Sequence, residues 1–135
     1  MQHERSLRYN PDGEGFLKLY RKLLSSAVFR NSRLLHVWVW CLCRAKWREE
    51  TVIFFQGEQL TLARGQFVTG RNVGSEQCNM KPSTWWDNLT KLEEMGNVTL
   101  ESDSYCTVVT VLKYEAYQGE LTDVRQPSEN PPTTE

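Results

Sequence analysis

The apolar positions that follow Gly15 recur at helical spacing. In the segment GFLKLYRKLLSS they fall at i, i+3 and i+4 positions, so they share one face of a helix and leave the basic residues on the other. The pattern therefore predicts an amphipathic helix at the start of the folded part. Its apolar face carries Phe16, Leu17, Tyr20, Leu23 and Leu24, and its basic face carries Lys18, Arg21 and Lys22.

The next apolar segment has almost no polar face. From Leu34 to Leu42 nearly every residue is apolar, and two of them are tryptophans. A helix that is apolar on all sides packs against several other elements. Asn31 or Ser32 provides a good N-cap just before it. The sequence thus predicts a central helix, which begins near these two residues.

The period then changes from helical to alternating. Residues 51–55 are β-branched and aromatic, residues 56–58 are typical of a turn, and residues 59–62 alternate between polar and apolar. This pattern predicts a β-hairpin. After a second turn at Arg64-Gly65, residues 66–69 are predicted to form a short extended piece that leads to the next helix.

Two helices are predicted next. The first covers about Arg71 to Cys78, and Gly74 lowers the helix propensity in its middle. The second begins at Pro82, which suits a first helical position, and stops at Gly96. One face of this second helix is apolar at i, i+4, i+7 and i+10, and carries Trp85, Leu89, Leu92 and Met95.

A strand, a turn and a strand follow. Residues 98–101 alternate, Ser102, Asp103 and Ser104 form the turn, and residues 105–112 are rich in β-forming side chains. The whole order predicts an α+β fold and, more specifically, a winged helix-turn-helix. That fold has a helical core, a β-hairpin before the helix-turn-helix and a β-hairpin wing after it.

The domain is predicted to span residues 15–118. Residues 1–14 are polar and turn-rich, and are expected to be a flexible N-terminus. Residues 119–135 are polar and rich in proline, so we expect a disordered tail or linker.

Charge is divided unevenly along the chain. Through Arg48 there are ten basic and three acidic residues, a net charge of +7, whereas the remainder carries six basic and fourteen acidic residues, a net charge of −8. The basic part suits phosphate or an acidic partner, or it simply forms solvated helix faces.

The composition argues against several classes of protein. No apolar run is long enough to cross a bilayer, and the first residues lack the apolar segment of a signal peptide, so we expect a cytoplasmic protein with no membrane partner. Four cysteines without a C-x-x-C pair, and two histidines, do not suggest a metal site. No nucleophile–base pair, paired carboxylates or phosphate-binding loop is evident, so we expect neither an enzyme nor a cofactor.

The chain resembles a known family across residues 15–118. The segments that carry the likeness are GFLKLYRKLL, LLHVWVWCLCRA, LARGQFVTGR, STWWDNLTKLEEMGNV and VTVLKYEAYQ. Together they are similar to the winged-helix domains of phage replisome organisers and DnaD-like primosome proteins. The resemblance implies a role in replication initiation in bacteria, phages or plasmids, through domains that bind DNA, self-associate or do both. Full-length relatives often continue past a flexible linker into a second domain.

In a winged helix the second helix of the pair enters the major groove. The candidate DNA-binding residues on this helix and its flank are Lys81, Ser83, Thr84, Trp86, Asp87, Thr90 and Lys91. The candidate DNA-backbone contacts are Arg71, Lys18, Arg21 and Lys22, and the candidate wing residues are Ser102, Asp103 and Ser104.

Two functions remain open at this point. In the first, the domain binds double-stranded DNA. In the second, it is a self-assembly or protein-interaction module, in which Trp86 is an anchor and the hairpin at 52–62 pairs with a second copy or a replication protein. The second gains weight because residues 64–96 carry four basic and four acidic residues, and because Asp87 and Asp103 repel phosphate.

Overall fold

Four α-helices and five β-strands form the part of the chain that the computed structural model describes, residues 15–48, 50–55, 57–103 and 106–118. The expectations for residues 1–14, Ser104 and residues 119–135 lie outside these ranges. The prediction of an α+β fold is confirmed. The helices are α1 (Ser32–Arg44), α2 (Arg71–Gln77), α3 (Pro82–Glu94) and α4 (Tyr114–Gln118), and the strands are β1 (Glu50–Phe55), β2 (Glu58–Ala63), β3 (Gln66–Thr69), β4 (Val98–Ser102) and β5 (Thr107–Val111).

The predicted amphipathic helix after Gly15 is wrong. The segment forms only two 3₁₀ turns, Arg21–Ser25 and Val28–Arg30, after an irregular stretch. The hydroxyl group of Ser26 ends the first of these turns, because it donates to the Leu23 carbonyl at 2.7 Å and accepts from the Phe29 N–H at 3.2 Å. Such local side-chain hydrogen bonds compete with continuation of a helix.

The central helix was predicted correctly. Asn31 caps α1, because its side-chain oxygen accepts from the Leu34 N–H at 3.1 Å. The ring of Trp40 meets the rings of Phe67 and Trp85 edge-on, with centroids 5.2 and 5.6 Å apart. Helix α1 is therefore the element on which β3 and α3 pack.

Two antiparallel sheets complete the fold. Strands β1 and β2 form the predicted hairpin, with Phe55 opposite Glu58. Strand β3 pairs with β5, and β5 pairs with β4, so the second sheet has the order β3-β5-β4. Its buried face includes Phe67, Val98 and Val109, which join the hydrophobic core.

Helices α2 and α3 are joined by a tight turn. Asn79 adopts a positive φ of 57°, and the Met80 N–H donates back to the Ser75 carbonyl at 2.9 Å. Pro82 opens α3 as predicted.

The far end of α3 departs from the prediction at one residue. Met95 was expected on the buried face but is 40% exposed. It is the C-cap residue of a helix that ends at Glu94, and Gly96, at a φ of +86°, turns the chain away directly after it. The position of Gly96 as a helix stop is confirmed, and the apolar face of α3 ends one turn earlier than its spacing suggested.

Candidate nucleic-acid interface

One side of α3 is presented to solvent. Trp85 and Leu89 are buried against α1 and α2, so residues on the opposite side point outward. Ser83, Asp87 and Lys91 are exposed and lie at i, i+4 and i+8 on the helix. The structure thus brings three of the candidate residues onto one helix face.

Three other candidates on α3 are half-buried. Trp86 packs against the hydrophobic core, and its ring centroid lies 5.9 Å from that of Trp85. The carbonyl of Thr84 accepts from the Asn88 side chain at 2.9 Å, and the Thr90 hydroxyl donates to the Asp87 carbonyl at 2.9 Å. The side chains of Trp86 and Thr90 therefore make contacts within the fold, and the expected outward position of Trp86 is only partly met.

The N-terminal end of α3 is open. Lys81 precedes the helix and makes no side-chain cap, and the first turn has no acidic residue. The first N–H groups of a helix carry a partial positive charge that favours anions, and the exposed Lys81 adds a full charge. Arg71, the first residue of α2, is also exposed.

The candidate basic residues near the N-terminus are exposed but do not lie on a helix face. Arg21 and Lys22 lie in the first 3₁₀ turn, which packs on the second, and the second packs on α1. Lys18 lies beside α4, because its backbone N–H donates to the Gln118 side chain at 3.0 Å and its carbonyl accepts from it at 3.1 Å.

Asp103 and Cys106, at the two ends of the β4–β5 connection, are hydrogen-bonded to each other. The Cys106 N–H donates to the Asp103 side chain at 2.9 Å, and the Asp103 N–H donates to the Cys106 carbonyl at 3.0 Å. The hydroxyl groups of Ser102 and Thr107 lie 2.8 Å apart across the two strands. A carboxylate at this tip disfavours contact with a phosphate.

Acidic side chains also lie near the end of α3. Glu93 accepts from the Leu100 N–H at 3.1 Å, so it links α3 to β4, and Glu94 is exposed. The two candidate DNA-binding lysines, Lys81 just before α3 and Lys91 within it, are therefore matched by negatively charged side chains on the same helix. This balance limits the affinity that the helix alone can provide.

The contacts of Arg44 inside the fold were not predicted from the sequence. Arg44 lies over the rings of Trp40 and Phe67, donates to Gln77 at 3.1 Å, and donates to the Val68 carbonyl at 2.9 Å. Burial lowers the pKa of its guanidinium group below the usual value. The contacts that bury this residue come from three separate elements, α1, β3 and α2, so no local pattern in the sequence marks it.

Two of the four cysteines, Cys41 and Cys78, are buried and not suited to reaction. Burial is the main cause that raises the pKa of Cys41, and the neighbouring Cys78 adds to it. Burial likewise raises the pKa of Cys78 to about 11. Both groups are neutral thiols near pH 7, as expected for small apolar core residues.

Several large apolar side chains are exposed. Phe54 and Val52 share the outer face of β1 and are 74% and 56% exposed. Phe16 and Leu24, in the N-terminal segment, are 89% and 66% exposed. Trp47 is also partly exposed, and the guanidinium of Arg48 lies 4.7 Å from its ring centroid.

Across residues 15–48, 50–55, 57–103 and 106–118, no three His, Cys, Asp or Glu residues are grouped so that they could hold a metal ion. Within the same ranges, no helix has the length and apolar content needed to cross a bilayer. Comparison with known proteins finds no matching family model, and neither a curated protein nor a solved structure matches the chain significantly.

Proposed function

We propose that this chain is a winged-helix domain that binds double-stranded DNA, of the kind used in replication initiation. The order of elements supports the fold: helix α1, the β1–β2 hairpin and strand β3 are followed by two helices joined by a tight turn, α2 and α3, and by two further strands, β4 and β5. The sheet order β3-β5-β4 supports it too, since the two last strands pair as a ribbon. Strand β4 of this ribbon contacts α3. The role in replication is inferred from the resemblance of the sequence alone.

The observation that carries DNA binding is the solvent face of α3. It presents Ser83 next to the open helix start at Lys81 and Lys91 in the last turn, while the opposite face is buried. In this arrangement the helix lies in the major groove, Ser83 donates to a base edge or phosphate, and the two lysines neutralise phosphates. Arg71 extends the contact along the backbone.

The affinity is expected to come mostly from phosphates. No arginine lies on the exposed face of α3, and arginine is the side chain that most often reads guanine. Asp87 on the same face repels phosphate. We therefore expect weak binding with little preference for sequence.

A second candidate function is protein assembly, and a specific observation favours it. Phe54 and Val52 stand exposed on β1, which is an edge strand of a two-stranded sheet. Exposed edges with apolar side chains pair readily with another chain. Trp86 is a weaker anchor than expected for this function, because its ring packs partly on its own core.

A salt titration separates the two functions. With a fluorescent 30-base-pair duplex, DNA binding predicts an affinity that falls steeply as sodium chloride rises, with a slope of log K against log salt that reflects about three phosphate contacts. The same samples are examined by analytical ultracentrifugation without DNA. No binding at 20 mM salt, together with a concentration-dependent dimer, would support assembly and contradict the first function.

The charge reversal Lys91→Glu tests the position of α3. We expect binding to weaken about tenfold on every duplex, because one phosphate contact is lost and a repulsive one is gained. The matched control is Lys113→Glu, an equal change at an exposed lysine in the turn before α4. If both variants bind like the parent, or lose affinity equally, α3 does not lie in the groove.

A further inference from the structure

The N-terminal segment has an apolar surface that no element of the described chain covers. Phe16 and Leu24 are mostly exposed, and Leu19 is 53% exposed. Only Leu17 and Leu23 of this segment pack against the core. Residues 16–24 are called the N-terminal surface below.

The N-terminal surface is also strongly basic. Lys18, Arg21 and Lys22 are exposed within it. From residue 15 to residue 48 the sequence has eight basic residues and no acidic one. A ligand of this surface must therefore combine apolar side chains with negative charge.

The end of the described chain lies against the same surface. The side chain of Gln118, the last residue of α4, holds both the N–H and the carbonyl of Lys18. Residues 119–135 continue from this point with four acidic residues and one basic residue. Two residues of chain span at most about 7 Å.

The first residues of this continuation have the required chemistry. The sequence of residues 120–124 is ELTDV, with carboxylates at Glu120 and Asp123 and apolar side chains at Leu121 and Val124. A tether of two residues gives such a segment an effective concentration in the millimolar range at the surface. Weak contacts are then sufficient for binding within one chain.

We propose that residues 120–124 bind the N-terminal surface of the same chain. Glu120 and Asp123 pair with Lys18, Arg21 and Lys22, and Leu121 and Val124 cover Leu24. The inference does not depend on DNA binding. Any acidic or phosphate-bearing partner of the N-terminal surface has to displace this segment first.

Charge reversal in the full-length chain tests the proposal. The variant Glu120→Lys/Asp123→Lys is compared with the matched control Glu129→Lys/Glu135→Lys, which makes the same change in net charge beyond the proposed segment. Amide hydrogen exchange of residues 16–24 is followed by mass spectrometry on the sub-second scale. We expect exchange about fivefold faster in the first variant, from the loss of two surface ion pairs, and unchanged in the control.

A second measurement tests the contact directly. In the parent chain, nuclear Overhauser effects are expected between the methyl groups of Val124 and Leu24, and they should fade at 0.5 M salt. The further changes Lys18→Glu and Lys22→Glu, added to the first variant, should restore slow exchange.

Three results would overturn the proposal. The first is equal exchange in the parent and in both variants. The second is the absence of any methyl contact at low salt. The third is hydrogen exchange of residues 16–24 that slows as the protein concentration rises and is the same in the parent and in both charge-reversal variants. A second copy of the chain would then cover the surface. Exchange in α1 is the internal check that the fold is intact.

Discussion

Replacing Gly74 by alanine is expected to destabilise the protein by about 3 kcal/mol, although alanine is normally the better helix former by about 1 kcal/mol. Gly74 lies inside α2 and is buried. A Cβ atom added there would lie 2.0 Å from Cζ2 and 2.3 Å from Cε2 of the Trp85 indole. These atoms belong to a rigid ring that also contacts Trp40, so the ring cannot turn aside. Urea denaturation followed by tryptophan fluorescence measures the loss.

The double variant Gly74→Ala/Trp85→Phe identifies the cause. Phenylalanine lacks the outer ring atoms that the new methyl group would strike, so the double variant should be more stable than Gly74→Ala alone. Gly70→Ala is the matched control, since the Cβ there would meet only Cζ of Phe55 at an ordinary 3.7 Å. If Gly74→Ala proves as stable as the parent, α2 and α3 do not approach as closely as described.

Gly74 also illustrates what the sequence could and could not predict. Propensity alone marked it as a weak point of α2. Its actual role is to let the Trp85 ring lie against the helix backbone, and that ring comes from an element eleven residues later in the chain. A close approach between two elements has no local signature.

Elements with a strong period and clear ends were predicted well. The start of α1 followed from the N-cap at Asn31, and the two ends of α3 followed from the proline at position 82 and the glycine at position 96. The two hairpins followed from alternation and turns. In each case the local pattern of apolar residues agrees with the packing of the whole fold, because the face that carries the periodic apolar residues is also the buried face.

The prediction of a helix in the N-terminal segment was wrong because there the local pattern and the packing of the fold disagree. Its periodicity is as good as that of α3, but periodicity stabilises a helix only where the apolar face is buried. Phe16 and Leu24 have no such burial, and Ser26 offers the backbone other hydrogen bonds. The same lack of a partner is the basis for the proposed role of residues 120–124.

The candidate site was predictable only as a helix face. Spacing gave the exposed Ser83, Asp87 and Lys91, because they lie opposite the buried residues of α3. It did not give the partial burial of Trp86, which depends on neighbours from other elements. It also missed α4, a five-residue helix whose Glu115 pairs with Arg64, fifty-one positions away in sequence.

Replacing Gln77 by leucine is the second large effect we expect, a loss of about 2 kcal/mol. The side-chain oxygen of Gln77 accepts from the Trp40 indole N–H at 2.8 Å and from the Arg44 guanidinium at 3.1 Å. Leucine removes this shared acceptor and leaves two donors without it, the indole N–H of the buried Trp40 and the charged guanidinium of the half-buried Arg44. Urea denaturation measures the change, and near-ultraviolet circular dichroism reports the surroundings of Trp40.

Two control variants make this result specific. Asn72→Leu places the same side chain on an exposed position of α2 and should change the stability by less than about 0.5 kcal/mol.

Gln77→Glu keeps the acceptor, so it should retain stability at pH 7. The positive charge of Arg44 should hold the pKa of the new carboxyl below its unfolded value of about 4.3. The stability that this ion pair adds is then present at pH values above the unfolded pKa, and it is lost as the pH falls through the lower pKa of the folded state. A Gln77→Glu chain with the same pH dependence as the parent would show that Gln77 and Arg44 are not in contact.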